Sequence, residues 1–249
     1  ARSRRGRLEC SDAWPSSNGR QAVRLFRETS PKVGSAALRM GVASEEGRGV
    51  PHKFAEAVGW YAKAGTMGQH GAYAYLGAAY MDGRGVPADE ERGVATLQEG
   101  ANKGDARSQR RLAVLFTQGM GVPYDYQEAL HWSLEAAKGG DVQAMYLAGA
   151  MYEKGIGTAR SVEDARRWYQ QAVNLAGSDD FVRREDTATW KRDSQKALER
   201  LDAEAAAEAK AAEEAAKAAE DAAKAGEAAP ADGAPQPAGD QTPATPGTP

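Results

Sequence analysis

Histidines and glycine pairs are the residues of this chain whose types and spacing could support chemistry. His52, His70 and His131 could bind zinc, but they lack the ligand spacing of zinc sites. The pair Gly83 and Gly85 is similar to the start of a phosphate-binding loop. A dinucleotide fingerprint, however, requires a preceding strand and a third glycine that opens a helix, whereas this pair follows a helical pattern. The sequence therefore predicts no metal site and no nucleotide site.

The other requirements of an active site cannot be placed in this sequence. Catalysis requires a nucleophile with a base, a pair of carboxylates in a cleft, or a metal cluster. Cys10 is the only cysteine, which excludes an intramolecular disulfide and a metal site built from several thiolates. We predict that the protein is not an enzyme and uses no cofactor.

A glycine pair that recurs every 36 residues predicts the architecture of the chain. The four pairs are Gly47 and Gly49, Gly83 and Gly85, Gly119 and Gly121, and Gly155 and Gly157. In the second copy, Ala72, Leu76 and Tyr80 have the spacing of one face of a helix, here called helix A. The glycines and a following proline end that helix. Asp89, and Asp125 in the third copy, then have the position of an N-cap for helix B.

Tryptophans recur with the same period and predict a helical core. Trp60, Trp132 and Trp168 are separated by multiples of 36 residues, and the second copy has Thr96 instead, beside Leu97. An aromatic ring at helical spacing is more often a core residue than a surface for stacking a ligand. We therefore expect the three rings to be buried, with Leu97 filling the space in the second copy.

The fixed period, glycine loop, proline, Asp cap and tryptophan together resemble the Sel-one-like repeat family, a relative of the tetratricopeptide repeats. The resemblance extends over about Gly34 to Gly177. It implies an all-α, right-handed α/α superhelical solenoid of about four helix-turn-helix repeats, with helix A on the concave side. Lys53 and Ser161 replace the Asp cap in the first and last copies. Terminal repeats need different residues because one of their sides lacks a neighbour.

Residues outside the four copies divide into further segments. The predicted organisation is a flexible arm at 1–20, a capping helix at 21–34, the repeats at 35–177, a second capping helix at 178–201, a solvated Ala/Glu/Lys helix at 202–225, and a disordered Pro/Ala-rich tail at 226–249.

Charge argues against nucleic acid as a partner. The formal net charge is −3, with ten acids and three lysines in residues 202–249, which leaves 25 acids and 29 bases before them. This small excess is not the clustered field that nucleic acids require. We also predict no membrane insertion, because no long apolar run is present. The chain begins at Ala1 without Met, which indicates a processed or truncated N terminus, and the resemblance favours the periplasm or cell envelope over the cytoplasm.

Helix-A positions that differ between copies predict a binding surface. One such column contains Leu38, Ala74, Arg110 and Tyr146, and another contains Glu45, Met81, Thr117 and Glu153. Apolar and aromatic residues flanked by charges suit a peptide or a partner's helix. We predict partner contacts by Leu38, Arg110, Tyr146, Met81 and Glu153. The alternative is that these columns only face water.

The sequence leaves three functions open. The first is an adaptor or scaffold that binds a partner protein or peptide on the concave helix-A face, as the resemblance implies for bacterial signalling or envelope regulation. The second is an immunity or inhibitor protein that neutralises a toxin or enzyme. The third is a glycan-binding envelope factor, which would require exposed aromatic residues in the groove.

The helical core makes a first prediction about stability. Replacement of Trp132 by Ala should lower the free energy of unfolding by about 3 to 5 kcal/mol, the usual loss for truncating a buried aromatic side chain. Chemical denaturation followed by circular dichroism measures this loss, and an unchanged unfolding curve would contradict the core assignment.

Overall fold

The computed structural model describes residues 33–175 and 184–227, together with Arg24, Phe26 and Glu28. Within these residues the chain forms nine α-helices and no strand. The helices are α1 Gly34–Glu46, α2 Phe54–Thr66, α3 Ala72–Asp82, α4 Glu90–Asn102, α5 Ala106–Gln118, α6 Tyr126–Lys138, α7 Val142–Lys154, α8 Val162–Leu175 and α9 Arg184–Glu227. The first eight form four pairs of an A helix (α1, α3, α5, α7) and a B helix (α2, α4, α6, α8). The predicted all-α repeat solenoid is confirmed.

The first glycine of each pair ends the A helix. Gly83 has a φ of 67°, in the left-handed region, and its N–H donates a hydrogen bond to the carbonyl of Ala79. The chain then turns back, and the N–H of Asp89 donates to the Tyr80 carbonyl at 2.8 Å. The equivalent bond recurs in every repeat and attaches the start of each B helix to the last turn of its A helix. A single loop geometry therefore sets all four helix pairs.

The second glycine of each pair attaches a repeat to the one before it. A Cβ on Gly157 would lie 2.1 Å from the carbonyl oxygen of Tyr126, at the start of the preceding B helix. A Cβ on Gly85 would lie 2.4 Å from the carbonyl carbon of Phe54, at the start of α2. At these two junctions the loop therefore packs against backbone at a distance that no side chain permits, whereas a Cβ on Gly121 would first meet Val94 Cγ2, at 3.0 Å.

Aspartates cap the B helices of the second and third repeats and the A helices of the third and fourth repeats. Asp89 accepts a hydrogen bond from the N–H of Arg92, and Asp125 accepts from the N–H groups of Gln127 and Glu128. A second series, which the repeat pattern did not reveal, caps the A helices: Asp105 accepts from the N–H of Ser108, and Asp141 from that of Ala144. Each such cap satisfies a backbone donor that a helix start leaves unpaired.

A fully buried column of the B helices lies one residue after the tryptophans. It contains Tyr61, Leu97, Ser133 and Tyr169, each at most 1% exposed. The facing column of the A helices contains Gly41, Gly77, Ala113 and Gly149. A Cβ on Gly41 or Gly149 would lie within 3 Å of the facing tyrosine ring. The third repeat has the smallest B-helix residue in this column, Ser133, and it has alanine instead of glycine opposite. The larger A-helix residue therefore compensates for the smaller B-helix residue.

The tryptophans are half-buried and join neighbouring repeats. Trp132 packs against the cluster of Leu97, Ala101, Leu112 and Leu115, two of which belong to the preceding B helix. Trp168 packs in the same way against a cluster that includes residues of α6. Leu97 belongs to the column of Tyr61 and Tyr169, so it does not replace the missing tryptophan as expected. The loss expected for Trp132→Ala accordingly lies toward the lower end of its range.

Residues beyond the four repeats cover the ends of the core. Phe26 packs against Met40 and Ala43 in the first repeat. Trp190 of α9 packs against a cluster formed by α6, α7 and α8, while Ala197 and Leu201 pack with Ala165 and Tyr169. These contacts are those that a next repeat would supply.

The remaining predicted segments are only partly described. Helix α9 is continuous through residues 184–227, so the predicted closing helix and the Ala/Glu/Lys segment form one element. From Asp202 onward its described residues are exposed, and Lys224 forms an ion pair with Glu220 at 2.6 Å. The predicted arm at 1–20 and residues 228–249 of the predicted tail lie outside the described residues.

Two glycines with the same backbone conformation test the stacking of loops on helices. Gly104 has a φ of 81°, and a Cβ there would meet nothing within 4 Å, whereas Gly157 has a φ of 72° and faces the Tyr126 carbonyl. Gly104→Ala should cost about 1 to 2 kcal/mol for the left-handed conformation alone. Gly157→Ala should cost a further 1 to 3 kcal/mol, roughly, for the overlap. Equal losses in chemical denaturation would show that the close approach does not hold the repeats together.

Candidate interaction surface

Each A helix leaves one stripe of residues partly exposed, and together these stripes form the A-helix surface. Its central column contains Arg39, Tyr75, Arg111 and Leu147, all half-buried. Neighbouring positions one turn away, such as Arg107 and Gln143, are also partly exposed. The column differs in chemistry from repeat to repeat while the frame around it repeats.

The first predicted column lies one residue before this one and contacts the neighbouring repeat. Arg110 forms an ion pair with Asp141, the N-cap of α7, at 3.0 Å. Tyr146 packs against Tyr169 and Trp190, with ring centroids 5.6 and 5.2 Å apart. Leu38 packs against the cluster of Ala37, Ala64 and Ala72. Partner binding by Leu38, Arg110 and Tyr146 stays a prediction, and the structure gives each of them a contact inside the chain.

The second predicted column faces the B helix of its own repeat. The Tyr61 hydroxyl donates a hydrogen bond to Glu45. The Tyr169 hydroxyl donates to Glu153 at 2.7 Å. Met81 packs against the cluster of Leu97 in the second repeat. Partner contacts by Met81 and Glu153 likewise stay a prediction beside these internal roles.

An arginine completes the tyrosine–glutamate pair at each end of the stack. Arg84, from the second repeat, donates a hydrogen bond to Glu45 at 2.7 Å. Arg200, from α9, donates to Glu153. Burial, and then the hydrogen bond to the glutamate, raise the pKa of Tyr61 and of Tyr169 far above the usual tyrosine value. Both hydroxyls therefore keep their protons and act as donors.

Metal ligands and membrane-spanning helices are both missing from the part of the chain that the structure describes. Among these residues, no group of three or more His, Cys, Asp or Glu side chains is placed to hold a metal ion. No helix of the same part combines the length and apolar character needed to cross a membrane. His52, His70 and His131 are exposed at separate places, and His131 lies edge-on to its neighbour Trp132.

The repeated geometry corresponds to a known family. The Sel1 repeat model matches four consecutive segments, at residues 34–69, 70–105, 106–141 and 142–176. This chain belongs to the Sel1 repeat family. Sel1 repeat proteins generally mediate protein–protein interaction, and their scaffold is typically non-catalytic. A search of curated protein sequences gives no significant match.

Solved structures show the same fold. A Sel1 repeat protein from Oxalobacter formigenes is 34% identical, over 61% of this chain and 61% of that chain, with a TM-score of 0.59. The protective antigen c5321 of uropathogenic Escherichia coli strains, which displays an SLR fold, is 23% identical over 73% of this chain and 44% of that chain, with a TM-score of 0.56. The immunity protein Pa5087 from Pseudomonas aeruginosa is 17% identical over 73% and 74% of the two chains, with a TM-score of 0.49. This Sel1 repeat protein therefore spans less than two thirds of the first two.

The buried tyrosine hydroxyls predict a loss of stability in alkali. Because the pKa of Tyr61 and Tyr169 is raised in the folded state, their contribution is complete below the unfolded-state pKa of about 10 and is lost as pH rises above it. The free energy of unfolding should fall above about pH 10, by up to roughly 1.4 kcal/mol per pH unit for each tyrosine.

Phenylalanine variants isolate this effect. Tyr61→Phe/Tyr169→Phe should be less stable at neutral pH by about 1 kcal/mol or more per hydroxyl, for the lost hydrogen bonds, but its stability should decline less steeply in alkali. Tyr124→Phe serves as the control because Tyr124 is 69% exposed. The free energy of unfolding is measured by urea denaturation at several pH values. If it falls equally steeply with pH in the parent protein, the double variant and the control, the assignment of raised tyrosine pKa values is contradicted.

Proposed function

We propose that this Sel1 repeat protein is a non-catalytic adaptor or scaffold that binds a partner protein or peptide along the A-helix surface. The observation that carries the proposal is the central column of that surface, Arg39, Tyr75, Arg111 and Leu147. Four repeats with one loop geometry hold arginine twice, tyrosine and leucine at the same partly exposed position. A frame of this kind supplies fixed positions, and the variable column supplies specificity.

The chemistry of the column supports a peptide or helix as the bound group. Arginine and tyrosine are the residues most often found as energetic anchors of protein interfaces. Helices α3 and α5 contact each other directly along the stack. Helices on the inner side of a curved stack lie closer together than those on the outer side, which supports the concave position that the family resemblance implies for helix A.

Glycan binding receives less support from the same surface. Tyr75 is stacked on Tyr61, with ring centroids 5.0 Å apart, and Tyr146 is covered by Tyr169 and Trp190. Among the described residues, the large aromatic side chains that are well exposed are Tyr124 and Tyr126. Tyr126 begins α6, and the Tyr124 ring lies against Gly119 at the end of α5, outside the central column. Rings whose faces are already covered cannot stack on a sugar.

An immunity or inhibitor role would use the same kind of surface and differs only in what the partner does. Gene neighbourhood would separate the two, because an immunity protein is expected beside its effector gene. We retain a location in the periplasm or cell envelope as a further proposal, based on the family resemblance alone.

Photo-crosslinking at matched glutamines tests the adaptor proposal. A photoreactive phenylalanine derivative is introduced at Gln118 or Gln143 on the A helices and, as controls, at Gln98 or Gln170 on the B helices, where the side chains are exposed. After irradiation in the native organism, a specific protein adduct should form from the A-helix positions and not from the B-helix positions.

The outcome decides between surfaces. Adducts from the B-helix positions alone would reject the A-helix surface, and the absence of adducts at all four positions would reject a stable protein partner. Crosslinking is a cleaner test than substitution of the predicted contact residues. Arg110→Glu and Tyr146→Ala would break the Arg110–Asp141 ion pair and the Tyr146–Trp190 contact inside the chain.

A further inference from the structure

Two arginines one turn apart on α5 face the A-helix surface beside the same tyrosine. Arg107 donates a hydrogen bond from Nη1 to the Tyr75 hydroxyl at 2.7 Å, and its guanidinium lies 5.6 Å from the centroid of the Tyr75 ring. Arg111 occupies the position of Tyr75 one repeat later. Residues four apart on a helix lie on one face, so both guanidinium groups point to one side of α5.

Arg111 has no compensating partner within the described residues. It makes no hydrogen bond or ion pair there, although it is half-buried. Burial, and then the neighbouring Arg110 charge, lower the pKa of Arg111, while the more distant Asp82 acts in the opposite direction. A guanidinium stays protonated in proteins, so the fold retains a partly desolvated positive charge.

Other arginines already bind Asp82, whose charge acts on Arg111, and Asp141, which pairs with the adjacent Arg110. Arg84 holds Glu45 at 2.7 Å and Asp82 at 2.9 Å. Arg110 holds Asp141 at 3.0 Å. The Nε of Arg84 is itself buried without a hydrogen-bond partner among the described residues. Arg84, Arg107 and Arg110 thus each have a hydrogen-bond acceptor, and Arg111 is the member of this arginine cluster that lacks one among the described residues.

The fold does not require a cation at this position. The equivalent residues in the second and fourth repeats are Tyr75 and Leu147, which pack in the same helical frame. Leaving a charge partly desolvated and unpaired costs stability, whereas an apolar residue of similar size does not. A residue that costs stability and is not needed for packing indicates a ligand site.

We propose that Arg107 and Arg111 together bind the side-chain carboxylate of an aspartate or glutamate in an acidic segment of the partner protein. The proposal rests on the adaptor function and specifies the chemistry of the bound segment. Paired guanidinium groups match the two oxygens of a carboxylate, and the carboxylate supplies the acceptor that Arg111 lacks among the described residues. Tyr75, held by Arg107, forms the adjacent wall of the site.

Peptide binding to the full chain tests the proposal. The probe is a fluorescein-labelled ten-residue peptide with two central Asp-Glu pairs in a neutral background, and its counterpart has Asn and Gln at those four positions. Fluorescence anisotropy at low ionic strength should show binding of the acidic peptide at least tenfold tighter than that of the neutral peptide. Equal affinity for the two peptides would overturn the proposal.

Matched variants locate the binding. Arg111→Met keeps an unbranched, flexible side chain and removes the guanidinium group, and Arg167→Met removes one charge from α8, where Arg167 is exposed and paired with Asp164 at 3.2 Å. Arg111→Met should weaken binding of the acidic peptide at least tenfold, and Arg107→Gln at least threefold, while Arg167→Met should change it less than twofold. Similar losses of affinity in all three variants would show that binding depends only on net charge, and would overturn the proposed site. Full competition by inorganic phosphate at the peptide's own concentration would do the same, because it indicates a phosphate site.

Thermal stability separates a binding role from a structural one. Arg111→Met should raise Tm of the free protein, because methionine can pack where an unpaired charge was partly desolvated, and Arg167→Met should not. A lower Tm for Arg111→Met would show that the arginine supports the fold, and would overturn the proposal. The crosslinking experiment distinguishes this failure from failure of the adaptor proposal. If the adducts from Gln118 and Gln143 persist in Arg111→Met, only the carboxylate site is rejected. If the parent protein forms no adducts from these positions, the A-helix surface itself is rejected.

Discussion

Contact between the second loop glycine and the preceding B helix, in the second, third and fourth repeats, is the constraint on which the stack of repeats depends. At Gly157 a Cβ would lie 2.1 Å from the Tyr126 carbonyl oxygen, and at Gly85 it would overlap the backbone of Phe54. Each of these loops therefore rests on the start of the preceding B helix, and the position of one repeat sets the position of the next. The same loop returns an N–H to the last turn of its own A helix, as from Asp89 to Tyr80. Pairing within a repeat and stacking between repeats thus come from one short segment.

Within that frame, the facing columns of the A and B helices differ between repeats in the size and polarity of their side chains. Tyr61 and Tyr169 fill the space opposite glycines, and their hydroxyls reach glutamates of the A helices. In the second repeat, Leu97 and Met81 make an apolar contact at the same two positions. The polar version occurs in the first and last repeats, where the next element adds an arginine to the glutamate. Helix α9 thereby supplies to the fourth repeat what the second repeat supplies to the first, so the stack ends without exposing its core.

The A-helix surface is where the repeats stop being equivalent. Loop glycines and buried columns are shared, but the exposed column changes from Arg39 to Tyr75, Arg111 and Leu147. Stability and recognition are therefore placed on different faces of the same helices. Arg111 marks the boundary between them: it lies among paired charges that tie adjacent repeats together, and it has no carboxylate partner among the described residues. A charge that the frame does not need is the kind of feature that partner binding explains.

The 36-residue period, the glycine pairs and the Asp89 and Asp125 caps determined the number, order and type of the repeat helices, because they act through local backbone conformation. Which helix residues are buried, and in which direction each side chain points, was decided only by the tertiary structure. Helical spacing placed Trp132 on the core side, yet the fully buried position is the next one, and copy-to-copy variation selected the columns of Arg110 and Glu153 instead of that of Arg111. Columns that contact a neighbouring repeat vary as much as columns that face solvent, so variation cannot distinguish them. One residue turns a helix by about 100°, and only the packing of the adjacent repeat fixes which of two neighbouring residues faces inward.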